Sequence, residues 1–373
     1  MKNQFANLFL LIPICSIIAT FSLSYLITPQ KSFSESENKA LQALPSISLK
    51  KLASGTYSTQ LHGYFSDQIA FRSRLVSLKA TTELARGCTE SNGIMLGKKN
   101  YLIENYKYTD KNYSFLQSNL SKIEGLIENL NKNGKTAFSV IVPRKTDVAV
   151  KYLPDSYKSE QSDSVWKRVT DKHTSLLPCL TEAESKGTCT YYRTDHHWTA
   201  QGAYAAYCEL SELIGYEPFD IEYFALTSLS DFFYGTTYSK SGIFSIPPET
   251  IQAPSIDSSS FLTTVMDTGI SFSGLYDTSY LAKKDKYSVF LGGNHAHIKI
   301  TDTVSCDKPT LVLIKDSFSH SLAPYLVHHF NLELIDPRYF NGSIVNYLTE
   351  NDFENILFIF GLETLSSSNI AIR

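Results

Sequence analysis

The run Thr310-Leu311-Val312-Leu313-Ile314 closes on Lys315-Asp316-Ser317-Phe318-Ser319-His320, and the residues after it, Ser321 to His329, have helical apolar spacing. An unbroken apolar run of this length reads as a strand buried on both faces, and Pro324 is tolerable in the first turn of the helix that follows. A buried strand, a polar turn and a helix form one unit of an open α/β sheet, a unit that must be repeated to bury its own faces. The chain repeats it. Thr136 to Val142 is a second buried strand, stopped by Pro143 and preceded by a helix over Tyr113–Leu130 that Asn131-Lys132-Asn133-Gly134 ends. A helix around Ser164–Leu177 and a β-prone run, Thr188–Tyr192, lead into Arg193-Thr194-Asp195-His196-His197-Trp198-Thr199 and a helix that starts at Ala200, with Thr199 as N-cap. Leu332–Ile335 and Ile356–Gly361 supply further strands around a short helix, Ile344–Leu348. The polar turns after Tyr192 and Ile314 then lie at carboxyl ends of strands, where open α/β sheets bind ligands.

The remaining segments differ in character. Leu8 to Ile27 is an apolar run of roughly the 20 residues that a bilayer core requires, with Lys2 before it, and reads as an uncleaved membrane anchor or a signal segment. On that reading residues 1–30 are the anchor and everything beyond lies outside the cytoplasm. Residues 31–110 form a polar stalk with a helical and hairpin region: helical spacing runs from Tyr57 to Arg86, and Asn92 to Ile103 has the turn residues of a hairpin. Residues 111–373 form the α/β domain. From about 216 to 305 that domain is interrupted by Phe, Tyr, Ser, Thr and Gly in short alternating runs, which predict a β-rich insertion. A net charge of -3 and a pI near 6.3 give no basic footprint for a phosphate backbone, so nucleic acid is excluded as a partner class. Cys179 and Cys189 bracket a Glu/Ser/Gly loop and admit two readings, a disulfide in an oxidising space or free thiols; with no C-x-x-C pair, a structural zinc site has no support.

Asp195, His197 and Ser317 supply a carboxylate, an imidazole and a hydroxyl. A serine becomes a nucleophile when an imidazole takes its proton and a carboxylate fixes the tautomer of that imidazole. Asp195 and His197, two apart on one turn, suit the second half of that relation. Two plainer readings remain, since Asp316 and Ser317 also suit a helix N-terminus and His196 or His197 a loop position. A third uses the histidines at 196, 197, 295, 297, 320, 328 and 329 with Asp195 as ligands of an open zinc.

The chain resembles the DHHW family of exported, anchored proteins of Gram-positive bacteria and, more distantly, the alginate O-acetylation proteins AlgJ and AlgX, within the SGNH hydrolase-like fold. The residues that carry the resemblance are Asp195-His196-His197-Trp198-Thr199, Leu291-Gly292-Gly293-Asn294, Val312 to Ser317 and Ile335-Asp336-Pro337-Arg338-Tyr339-Phe340, together with Phe71-Arg72, Asn92-Gly93-Ile94, Val142-Pro143-Arg144-Lys145 and Leu153-Pro154. The resemblance implies a parallel sheet with flanking helices and a triad in which Asp195 orients His197, His197 is the base and Ser317 the nucleophile, with His196 not required. It implies transfer or removal of an acyl group, most simply acetyl, on a cell-envelope or secreted polysaccharide, without cofactor or metal. It also implies a membrane-bound O-acyltransferase partner if the reaction is transfer. The Ser317 N–H, Gly293 and the Asn294 amide are candidates for the oxyanion; Arg338, Tyr234 with Tyr238, and Lys145 are candidates for substrate contact. Lys315 stands where SGNH enzymes carry glycine, which leaves open a non-catalytic glycan-binding or assembly protein on the same fold.

Overall fold

The computed structural model describes residues 2–34, 36–157, 162–169, 172–305 and 307–372, without the side chains of residues 2–10, 24, 26, 27 and 162–164. Cys306 lies outside them. The chain divides into two compact units, one of Met1–Asn92 with Gly242–Phe244, the other of Gly93–Ser241 with Ser245–Arg373.

In the first unit Lys2–Ile27 is one helix, on which Leu11, Ile12, Ile14, Ile17, Ile18 and Leu23 are exposed. The membrane-spanning segment expected there is not found: among the described residues no helix is long and apolar enough to cross a membrane. The continuous helix expected over 57–86 is two, Thr56–Gln68 and Arg72–Ala85, separated at Phe71 with a φ of 57°. Arg72 is held at that break by Glu37, Nε to Oε1 at 2.7 Å and Nη2 to Oε2 at 2.8 Å.

The second unit is built on one sheet. In chain order its elements are β1 (Ile94–Leu96), β2 (Leu102–Glu104), α1 (Asp110–Lys132), β3 (Thr136–Val142), β4 (Thr174–Ser175), α2 (Leu177–Ser185), α3 (Ala200–Ile214), β5 (Thr227–Phe233), α4 (Thr236–Ser241), β6 (Glu249–Ala253), β7 (Phe261–Val265), β8 (Ile270–Ser273), β9 (His297–Asp302), β10 (Thr310–Lys315), α5 (Ser319–Leu326), β11 (Asn331–Ile335), α6 (Ile344–Glu350), β12 (Asn355–Gly361) and α7 (Leu362–Ser367). The eight-stranded sheet has the order β8-β7-β9-β11-β10-β12-β3-β4. From β11 to β4 the strands are parallel; β9, β7 and β8 extend that edge antiparallel. The β-rich insertion therefore contributes three strands to the main sheet and a separate β5–β6 ribbon.

Side chains alternate across the parallel strands. Leu311 and Leu313 pack on one face with Trp198, Ala203, Tyr207, Leu322 and Tyr325 from the α3 and α5 side, while Val312, Ile314, Ile356 and Phe358 pack on the other with Leu116, Ile123 and Leu130 of α1. Each such side chain, once fully buried, contributes about 1.5–3 kcal/mol. Helices on both faces of a mostly parallel sheet match the expected α/β class.

Three local expectations change. Thr188–Tyr192 joins no sheet; Tyr191 makes an isolated bridge to Trp198 across the Asp195–His197 turn. Val289-Phe290-Leu291, which reads in sequence as a strand before a Gly-Gly-Asn turn, is not a strand either, and Leu291, Gly292 and Gly293 all have positive φ. Residues 236–241, inside the segment expected to be β-rich, are helical. Cys179 and Cys189 are free thiols, donating to the Leu176 and Tyr191 carbonyls at 3.2 and 3.4 Å.

Candidate active site

Ser317 sits in the turn between β10 and α5, and its flank is fixed by Asp316. That carboxylate accepts from the Phe318 N–H at 3.1 Å, from the Gly361 N–H at 2.7 Å and from Thr364 Oγ1 at 2.6 Å, tying the turn to the end of β12 and to α7. Its lone pairs are spent on structure.

Across from Ser317, the Arg193–Thr199 turn is held from several sides. Thr199 caps α3 through Gly202 N–H, 3.1 Å. Glu249 accepts the Arg193 and Thr194 N–H groups at 2.8 and 2.7 Å. Lys145, expected to face substrate, is buried instead and donates to the Leu102 and Arg193 carbonyls at 2.7 and 3.3 Å. Burial pushes its ammonium down to about 8, against attraction from Glu249 and Asp195.

On this frame Asp195 Oδ1 accepts from His197 Nδ1 at 2.5 Å and from the His197 N–H at 2.9 Å. Asp195 Oδ2 accepts from the Thr236 N–H at 2.6 Å and its hydroxyl at 3.1 Å. His197 Nε2 lies 2.8 Å from Ser317 Oγ. With Nδ1–H on the carboxylate, Nε2 is the acceptor and Ser317 the donor. Burial alone would raise Asp195, yet His197, His196 and the bonds it accepts hold it well below the usual carboxylate range. Asp195 is 1% exposed and His197 4%, whereas Ser317 is open enough to meet a ligand. Tyr287 stacks on His197, centroids 3.8 Å apart and planes within 6°, and Phe318 meets it edge-on at 5.2 Å. Tyr287 is itself anchored 2.9 Å from Ser321 Oγ, which accepts from Trp198 Nε1 at 2.8 Å. The tryptophan of the motif thus braces the wall behind the imidazole.

His196 Nδ1 lies 2.6 Å from Thr236 Oγ1, and burial with the adjacent His197 pushes it down to about 3. Asp195, His196 and His197 are close enough to share an ion. Their atoms are already committed to one another, to Thr236 and to Ser317, at 2.5 Å between Asp195 and His197, an arrangement of shared protons rather than of ligands around a metal. The other histidines are dispersed: His297 binds Glu333, 2.8 Å, and His329 binds Tyr207, 2.7 Å.

The remaining candidates fare unevenly. The Gly293 N–H donates to the Phe290 carbonyl at 3.2 Å and is used within its own turn. Asn294 is exposed. Arg338 is forked onto Asp336, Nε to Oδ1 at 2.9 Å and Nη2 to Oδ2 at 2.6 Å, with 32% of its side chain exposed. Tyr234 and Tyr238 pair at 4.3 Å, with Lys284 Nζ over both rings at 5.2 and 4.9 Å; Tyr238 is buried, so the aromatic wall expected for a sugar is largely occupied. Sequence reasoning missed Gly235, Thr236, Glu249 and Tyr287, all in the insertion. A methyl on Gly235 would overlap the Asp195 side chain, so only glycine lets the backbone pass there. No local pattern in those residues signals a partner dozens of positions away.

Residues 96–335 match the model of the DHHW protein family. The chain is a DHHW protein. Its structure is similar to that of a DHHW family protein from Eubacterium siraeum, with a TM-score of 0.59 and 19% identity over 75% of this chain and 94% of that one. It is similar in the same degree, TM-score 0.59, to Bacillus cereus PatB1 carrying a sulfonyl adduct, at 17% identity over 74% of this chain and 96% of that one. In sequence it is 28% identical over 131 residues to a probable alginate O-acetylase, AlgJ, of Pseudomonas putida; the match spans 33% of this DHHW protein and 34% of the relative.

Proposed function

We propose that this DHHW protein is an SGNH-like O-acyltransferase or acyl esterase, with acetyl as the group handled and an extracytoplasmic polysaccharide as the acceptor. The observation that carries the reading is the continuous line from Asp195 through His197 to Ser317, at 2.5 and 2.8 Å. In the mechanism this supports, Ser317 Oγ attacks the acyl carbonyl as its proton passes to His197 Nε2, and Asp195 stabilises the imidazolium. The tetrahedral oxyanion is met by the Ser317 N–H, which makes no hydrogen bond among the described residues. On collapse the bond to the donor's oxygen breaks, that oxygen takes the proton from His197 and departs, and an acyl-serine remains; neutral His197 then activates a sugar hydroxyl or water to take the acyl group. The partial likeness to an alginate O-acetylase supports transfer to sugar. In that case a membrane-bound O-acyltransferase supplies the acyl group, since a protein outside the cytoplasm has no access to acyl-CoA.

A chromogenic acetyl ester tests the reading in buffer containing chelator. Hydrolysis by the native protein that is abolished in both Ser317→Ala and His197→Ala is the expected result. Activity undiminished in Ser317→Ala would remove the serine mechanism, and activity lost to chelator would favour the metal reading.

A further inference from the structure

Lys315 occupies the glycine position of the serine turn, yet its side chain is fully buried and directed away from crowding that turn: Nζ lies 2.7 Å from His320 Nε2 and 3.4 Å from Asp336 Oδ2. An ammonium has three donors and no acceptor, so Nε2 of His320 must accept and the proton of a neutral imidazole must sit on Nδ1. His320 is held neutral. Burial, then repulsion from Lys315 and His197, keep it well below the ordinary histidine range. Lys315 therefore sets the tautomer of His320 and leaves one N–H to be used elsewhere.

That N–H has no acceptor among the described residues. His320 is 1% exposed, its Nδ1 makes no hydrogen bond among the described residues, and Nδ1 is not one of the polar atoms sealed without a partner, as His328 Nε2 is. What little of His320 remains open is thus consistent with an unpartnered donor. Its place is one turn beyond Ser317, to whose carbonyl its own N–H donates at 3.2 Å, and residues three apart on such a turn share a face. His197 and His295 are among the groups acting on it, and His295 Nε2 lies 3.1 Å from the Gly292 carbonyl. His320 therefore follows the serine by one turn, tied to it through that main-chain bond, while the Gly293 N–H is already spent on the Phe290 carbonyl.

We propose that His320 Nδ1–H is a donor to the oxyanion formed at Ser317, beside the Ser317 N–H, and that Lys315 is the positioning residue that fixes it. The inference rests on the serine reading above. As the Oγ–C bond forms, the carbonyl π pair moves onto oxygen and the hydroxyl proton goes to His197; Nδ1–H hydrogen-bonds that oxygen without giving up its proton. The leaving oxygen takes the proton from His197 on collapse. A lysine in the glycine position then equips the site with a side-chain donor.

The test uses the full chain and the acetyl ester, comparing His320→Phe, His320→Gln and Lys315→Met with native protein and with Ser317→Ala as zero, alongside thermal melting. His320→Phe is expected to lower kcat roughly 10²- to 10³-fold, the usual loss for one oxyanion donor, while KM moves no more than about threefold, as for an interaction made only in the transition state. His320→Gln, whose amide can accept from Lys315 and donate onward, is expected to recover all but roughly tenfold of that loss. Lys315→Met removes the lysine's repulsion and leaves the burial, so its kcat is expected to gain a pH dependence below the ordinary histidine range that native protein lacks. Native kcat in His320→Phe would overturn the inference, as would a Gln variant no better than Phe at native melting temperature. Failure of the native protein to show any Ser317-dependent turnover would instead remove the serine reading and the inference with it.

Discussion

Asp195 spends each of its oxygens on a fixed partner, Oδ1 on His197 and Oδ2 on Thr236. An acceptor-only carboxylate in that setting fixes one imidazole tautomer, and an amide in its place offers the wrong group to Nδ1. Asp195→Asn is expected to lower kcat on the acetyl ester by roughly 10⁴-fold, the loss known for such a change in a serine triad, with melting temperature little altered. Steady-state kinetics and calorimetry on the same preparation would check both. Thr236→Val keeps the backbone donor and removes the hydroxyl that touches both Asp195 and His196. A hydrogen bond to a charged group is worth about 1.5–3 kcal/mol, so a fall in kcat of roughly 10- to 100-fold is expected. A Val variant as active as native protein would show that the backbone N–H alone suffices.

Among elements, the β5–α4–β6 segment does the most to position the Asp195 turn, because Gly235, Thr236 and Glu249 all lie on it or at its joints. Glu249→Gln leaves one of the Arg193 and Thr194 N–H groups facing an amide, and a buried donor left unsatisfied costs about 1–3 kcal/mol. The expected outcome is a lower midpoint in urea unfolding at unchanged slope, together with reduced activity; an unchanged midpoint would mean that the turn holds without that carboxylate. Elements with a strong period were legible in the sequence: β3, β10, β12, α1 and the Thr199 cap fall where apolar runs and cap residues put them. Pairing through space was not. Thr188–Tyr192 has strand composition but lies against Trp198 rather than in the sheet, and Lys145, a candidate for substrate contact in the sequence, donates to two main-chain carbonyls instead. The Asp195, His197 and Ser317 set was legible because the three residue types define a chemistry. Tyr287 was not, since nothing local marks a tyrosine that will stack on an imidazole ninety residues before it.

At the scale of the whole molecule, two groups, Lys145 buried and Glu363 half-buried, set a pH dependence of stability. Burial pushes the Glu363 carboxyl up to about 7 from its usual 4.5, against partial compensation by Lys240 and Arg144. Between those values the native state holds more protons than the unfolded chain, so stability falls as pH rises from about 4.5 to about 7. Lys145 acts in a different window: held down to about 8 from 10.5, it leaves the unfolded chain with more protons there, and stability rises with pH from about 8 to about 10.5. Glu363→Gln is expected to raise the melting temperature by a few degrees at pH 8 and hardly at all at pH 4. Equal shifts at both would show that the carboxyl does not titrate across this window.

The serine mechanism requires that Ser317 become acylated. Native protein mixed with an acetyl ester, quenched in acid within the first turnovers and digested, is expected to carry an acetyl group on the peptide containing Ser317, with none in His197→Ala. Turnover of the ester with that peptide unmodified, or with the label on another residue and undisturbed by Ser317→Ala, would contradict it.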